Sequence, residues 1–216
     1  MNDSSYILLI MNCQKYRYKA EHQTKTWLPQ VNAQIRYFHV IGDIELDKNY
    51  KFDNLNKILW VKAKDDYNSL PQKVIAAYEA ILLTHNFGYI FKTDDDQMLE
   101  KPHFFDILDK IIQKKFPKSD YGGEIVDVKE PYLSQYYRIH PELPTHLPVL
   151  RTKYCSGRFY FISREAVIDL TKKKDKINNE FLEDYAIGYH LNEKFKTEIL
   201  QIKTSLFFKD IDFEKN

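Results

Sequence analysis

The chain has 216 residues, 44% of them apolar and 29% charged, which suits one folded domain with its own core and excludes a disordered chain. Lys+Arg number 32 against 31 Asp+Glu, a net charge of +1, so no general attraction to nucleic acid or anionic membrane is expected. No apolar run approaches the roughly 20 residues that span a bilayer. The opening MNDSSYILLIMNC lacks the basic start and the length of a signal peptide, so a cytoplasmic location without a membrane anchor is expected.

In chain order, Tyr6 to Met11 reads as a buried strand, followed by a polar segment with Asn12, Lys15, Arg17 and Lys19. Ile35 to Ile41 reads as a second strand, stopped by Gly42-Asp43, and Ile58 to Val61 as a short third. Ser69 is a candidate cap and Pro71 suits a first helical turn. Val74, Ala77, Tyr78, Ile81 and Leu82 then form a helical stripe ended by Asn86 and Gly88. Tyr89 to Thr93 is a strand that runs into three aspartates, and Pro102 to Phe116 is an amphipathic helix. Glu130 to Thr152 carries four prolines and three tyrosines and fits no period, as a functional flap or a disordered insert would. Phe159 to Ile162 is strand-like. Ser163 caps a helix to about Lys172, where the run to Lys174 reads as a solvated helix end. Glu183-Asp184 opens another helix to about Glu193, and Glu198 to Ile202 is a last strand. Two cysteines, Cys13 and Cys155, make no disulfide framework and read as free thiols. Alternating strands and helices predict a single α/β sandwich over 1–216 with a largely parallel sheet. Ligands on such sheets sit beyond the carboxyl ends of the strands, where the aspartates fall.

In an extended segment Asp94 and Asp96 share a face and Asp95 points away. Two carboxylates about 5 Å apart repel by roughly 3 kcal/mol at an effective dielectric near 20. Water, a proton or a cation relieves that, and a hard dication turns it into binding. The competing reading is an exposed acidic turn. Phosphohydrolases of the haloacid dehalogenase type also place Asp-x-Asp after an apolar strand, but they want Thr or Val where Met98 stands.

Five segments in order then resemble the β-1,3-glycosyltransferases of family 31 and the related Fringe enzymes. They are KTW (25–27), DDYNSLPQK (65–73), FKTDDD (91–96), YCSGRFYFIS (154–163) and FLEDYAIGYHL (181–191). Each is weak alone; five in order across residues 6 to 191 are strong. The resemblance implies a GT-A fold and a metal-dependent, inverting transfer of a sugar from a nucleotide sugar, most simply a UDP-sugar, to a glycan or glycoprotein hydroxyl. The chain departs from the family in two places: Phe159 stands at the second Gly of Ser-Gly-x-Gly, and no His follows His190 to serve as a metal ligand.

By the resemblance Asp96 is the first candidate to ligate Mn²⁺ or Mg²⁺. Asp94 would act through water or on the ribose, and Asp95 ranks third. Asp184 is the implied general base, with Glu183 on the acceptor or orienting the helix. A helix N-terminus would also keep Asp184 ionised. Lys92 reads equally well as a surface salt-bridge partner. The nucleotide is expected at the end of the first strand, near Asn12, Cys13 and Arg17, with Asp66, Tyr67 and Lys73 close by. Tyr121, Gly122, Gly123, Ser156 and Gly157 would let the backbone approach the sugars, and the flap tyrosines would offer an acceptor platform. The alternative is a nucleotide- or carbohydrate-binding module on the same fold, without turnover.

Overall fold

The computed structural model describes residues 6–211 and 213. Strands β1 (Tyr6–Met11), β2 (Ile35–Gly42), β3 (Tyr50–Asp53), β4 (Ile58–Val61), β5 (Tyr89–Asp94), β7 (Tyr121–Val128), β10 (Thr152–Ser163) and β11 (Leu200–Gln201) form one sheet, in the order β11-β7-β10-β5-β1-β2-β4-β3. β1 pairs parallel with β2 and β5, β2 parallel with β4, and β7 parallel with β11. β10 runs antiparallel to both β5 and β7. The sheet is therefore mixed. Two small sheets flank it: β6 (Gln97–Leu99) with β12 (Phe208–Asp210), and β8 (Tyr132–Leu133) with β9 (Pro148–Val149).

The central strands are apolar on both faces because both faces are covered. Ile7, Leu9 and Met11 of β1 pack beneath helices α2 (Leu70–Thr84), α4 (Arg164–Thr171) and α6 (Glu183–His190), through Val74, Tyr78, Ala166 and Ile187. Tyr6, Leu8 and Ile10 face α3 (Phe104–Lys114), through Phe104, Phe105 and Leu108, together with Trp27. Helix α1 (Arg17–Lys25) was missed by periodicity because only Gln23 of it is buried; the short α5 (Lys174–Ile177) follows α4. Among the described residues no helix is long and apolar enough to cross a membrane.

Several local expectations are corrected. Ser69 precedes α2 without a side-chain cap; its own N–H instead donates to Asp66 Oδ1 at 2.8 Å. The predicted strand at Phe159 is the last third of β10, whose first residues are too polar for an apolar run to reveal. The lysine run is partly engaged, since Lys173 binds Asp169 and Lys174 binds Glu79. Glu130 to Thr152 is an ordered flap, pinned where Ser134 N donates to Leu147 O and Asn68 Nδ2 to Glu142 O, both 2.8 Å.

Candidate active site

β1 and β5 end side by side, so Asn12 and the aspartates arrive at one sheet edge. Because β10 is antiparallel, its middle, Ser156 to Arg158, where its register on β7 shifts, comes to the same edge. The chain turns at Asp95 and Asp96 before β6, so the expected alternation stops at Asp94. That turn is held from below. Gln23 Nε2 donates to Asp94 O and Gln97 O, and Trp27 of the KTW segment donates to Gln97 O at 3.1 Å.

Lys92 is the centre of the arrangement and is not a surface residue. It is fully buried, and its ammonium reaches Asp94 Oδ1 at 2.8 Å, Glu183 Oε2 at 2.8 Å and Gly157 O at 3.0 Å. Burial alone would lower its pKa, but Asp94 and Glu183 more than reverse that. Glu183 also accepts from Tyr160 OH at 2.6 Å, which leaves Tyr78 to donate to Tyr160. Both carboxylate oxygens of Glu183 are thus engaged inside the core. These contacts position α6 and Lys92, the orienting role of the two expected for Glu183.

Asp184, the next residue, turns the other way. Its Oδ2 accepts from Gly157 N at 3.1 Å, and its Oδ1 from Tyr185 N at 2.8 Å. Burial and the neighbouring Glu183 push its carboxyl up to about 6, against Lys92 and these two N–H groups. The helix start therefore does not dominate, because desolvation outweighs it. Gly157 joins the two halves of the site. A Cβ there would lie 3.3 Å from Lys92 Nζ, 3.5 Å from Asp94 Oδ2 and 3.7 Å from Asp184 Cβ. Gly188 allows α6 its close approach, since a Cβ would meet Tyr154 Cβ at 2.2 Å and Tyr154 Cα at 2.7 Å.

Five carboxyl groups, Asp94, Asp95, Asp96, Glu183 and Asp184, gather here, and ammonium groups pair with three of them: Lys92 with Asp94 and Glu183, and Lys19 with Asp95 at 3.3 Å. Burial pushes Asp94 up to about 7, opposed by Lys92 and helped by Asp96 and Glu183. It pushes Asp95 up to about 6, opposed by Lys19 and helped by Asp96. This excess of hard oxygen donors fits a divalent cation. Among the described residues no three Asp, Glu, His or Cys groups are placed to hold a metal by themselves. The aspartates therefore fit an ion whose remaining ligands are substrate oxygens and water.

The other expected residues divide. Asn12 is buried, its Oδ1 accepting from Cys13 N at 2.6 Å, while its Nδ2 has no partner among the described residues. Cys13 is half-buried, with its thiol pushed up mainly by burial, and Arg17 is exposed at the start of α1. Lys73 is buried against Asp65 Oδ1 at 2.6 Å and Asn12 O at 2.8 Å, so it braces the loops around β1 and is not a free cation. Asp65, which the sequence reading passed over, is the hub of that bracing, accepting also from Gly42 N and Gln14 N. Asp66 is exposed and caps Ser69 N. Tyr67 stacks on His140 of the flap, with ring centroids 3.9 Å apart, so one face of it is covered. Ser156 is half-buried beside Gly157. Tyr121, Gly122 and Gly123 lie buried in β7. The Tyr121 hydroxyl accepts from Cys155 N, a Cβ at Gly122 would strike the Phe161 ring at 2.4 Å, and one at Gly123 would meet Phe159 O at 2.8 Å. These glycines serve strand packing.

The sequence model described as galactosyltransferase matches residues 21–201. No curated protein matches the chain by sequence. Among solved structures, a glycosyltransferase involved in glycosylation of the major capsid of PBCV-1 superposes with a TM-score of 0.50 at 8% identity, over 92% of this chain and 82% of its own. WbbM, a bifunctional glycosyltransferase, gives 0.49 at 11% identity, over 94% of this chain; this chain spans only 39% of it. The galactosyltransferase LgtC, solved with donor and acceptor sugar analogues, gives 0.47 at 10% identity, over 92% of this chain and 73% of its own. The fold is of the GT-A type.

Proposed function

The chain belongs to the galactosyltransferase family, the family-31 group its motifs resemble, and on that premise we propose that it is a metal-dependent, inverting glycosyltransferase acting on a UDP-sugar. The observation that carries this reading is the meeting at Gly157 of Asp94 from the triplet and Asp184 from α6. Donor end and base would then lie on opposite sides of one residue without a side chain.

In this reading Asp96 and Asp94 hold Mn²⁺ or Mg²⁺, with Asp95 beside them. A bound dication there offsets the negative charge that grows on a departing diphosphate. Asp184 takes the proton of the acceptor hydroxyl. Its carboxyl, pushed up to about 6, is ionised at neutral pH yet basic enough to accept a proton, which suits a general base. Lys92 and Glu183 keep Asp94 and α6 in place. Asn12 Nδ2, buried and without a partner among the described residues, is left to meet the nucleoside. The acceptor, a glycan hydroxyl, enters beneath the flap with its tyrosines.

The test is hydrolysis and transfer from a panel of nucleotide sugars with Mn²⁺, with the anomeric configuration of the product read by NMR. Asp184→Asn is expected to keep UDP affinity and to lose transfer at least ~100-fold. Near-normal turnover in that variant assigns the base elsewhere. A chain that binds UDP but neither transfers nor hydrolyses any donor is a binding module.

A further inference from the structure

A diphosphate needs cationic side chains near the triplet, and among the described residues Lys19, Lys73, Lys92 and Arg158 lie close to it. Lys73 and Lys92 are buried with their ammonium groups already engaged, and Lys19 is paired with Asp95. Arg158 differs. Its carbonyl accepts from Thr93 Oγ1 at 2.7 Å, so its backbone lies beside β5 one residue before the triplet. Its side chain is 28% exposed and uses Nη2 alone, at 3.0 and 2.9 Å from the two oxygens of Asp210. Nη1 and Nε make no hydrogen bond among the described residues. Asp210 sits on β12 with its side chain 66% exposed. Its Oδ1 also accepts from Gln97 Nε2 at 2.8 Å, and the same amide nitrogen donates to Asp96 Oδ1 at 2.9 Å. One carboxylate oxygen and one amide nitrogen therefore separate the guanidinium from the Asp96 carboxylate.

We infer that Arg158 binds the diphosphate of the donor, and that Asp210 holds its guanidinium at the rim of the site until the phosphates replace it. This rests on the reading that the substrate is a nucleoside diphosphate sugar. An exposed Arg–Asp pair contributes little and exchanges readily. A guanidinium with a free edge matches two phosphate oxygens as well as it matches a carboxylate. The exchange gives the two members of one ion pair opposite effects on binding, which a purely structural pair does not.

The experiment is calorimetric titration of the full chain with UDP, inorganic pyrophosphate and uridine at fixed Mn²⁺. Arg158→Gln is expected to weaken UDP and pyrophosphate roughly ten- to a hundredfold, as loss of a charged hydrogen-bond partner does, and to leave uridine unchanged. Asp210→Ala is expected to tighten UDP by up to about fivefold, by removing the competing carboxylate. Urea midpoints check that each variant is folded; Arg158→Lys, with an intermediate loss, replaces Arg158→Gln if that variant unfolds. Unchanged UDP binding on loss of the guanidinium, or equal weakening by both partners, overturns the inference and leaves the nucleotide reading standing. A wild type that binds pyrophosphate through Arg158 but not UDP keeps the inference and removes the nucleotide reading. A wild type that binds neither removes both.

Discussion

Replacing Lys92 with Met tests whether the core of the site is electrostatic. The substitution keeps most of the aliphatic stem and removes the one cation that Glu183 and Asp94 share. Glu183 is left buried with Tyr160 as its remaining partner, whereas Asp94, with 32% of its side chain exposed, regains some water. Gly157 O loses its donor as well. Removing one partner from a buried ion pair costs about 3–5 kcal/mol, and most of that cost falls on Glu183. The variant carboxyls would have folded pKa values raised above their unfolded values, so the unfolded chain binds fewer protons than the folded one. The deficit is then largest at high pH and narrows as pH falls and both groups become neutral. Urea unfolding followed by the fluorescence of Trp27 and Trp60, at pH 8 and pH 5.5, reads this directly. The double variant Lys92→Met/Glu183→Gln should recover at least about 1 kcal/mol relative to additivity. A loss below about 1 kcal/mol in the single variant, or strict additivity in the double, refutes the argument, because apolar packing alone would then hold Lys92 in place.

His39 on β2 is buried with its Nδ1 unpartnered among the described residues, and burial lowers its pKa to about 4. Its contribution is fully present above its ordinary pKa and is lost as pH falls toward the folded value. The stability difference between wild type and His39→Asn should therefore shift by about 2 kcal/mol from pH 8 to pH 5, and a flat difference removes the claim. Gly188→Ala forces a methyl group into Tyr154 and should lower stability by about 1–3 kcal/mol and displace α6 in a crystal structure; an unmoved helix contradicts the packing account. Asp96→Ala should abolish the Mn²⁺-dependent part of thermal stabilisation by UDP. Retention of that increment removes Asp96 from the proposed metal site.

Much of the frame was legible because β1, β2, β4 and β5 are apolar on both faces and need no partner to be recognised. The position of the triplet and of Glu183-Asp184 followed from the same runs and from the ordered motifs. What stayed hidden depends on distant residues. Lys92 looks like surface because nothing local announces a carboxylate 91 residues away. Gly122 and Gly123 carry the mark of close backbone approach, and the sequence does not say that the visitor is Phe161 and the backbone of Phe159. β12, three residues long, is defined by its pairing with β6 and leaves no pattern, so Arg158 and Asp210 gave no sign of each other. Asp65 was passed over in favour of its neighbour Asp66, since two adjacent aspartates before a helix look alike until their partners are known.

The place of β10 between β5 and β7 has a consequence for synthesis. The ribosome completes β1 through β5 well before β10 exists, so the nascent half-sheet waits with the flank of β5 open. Tyr89 to Phe91 on that flank is a sticky template for another chain. Lys92 and Asp94 follow at once on the same bare edge, and a charged pair there discourages intermolecular zippering until the returning strand arrives. Residues of the candidate site would then also shield the unfinished protein, and fragments ending before residue 152 should precipitate more readily when Lys92 is neutral.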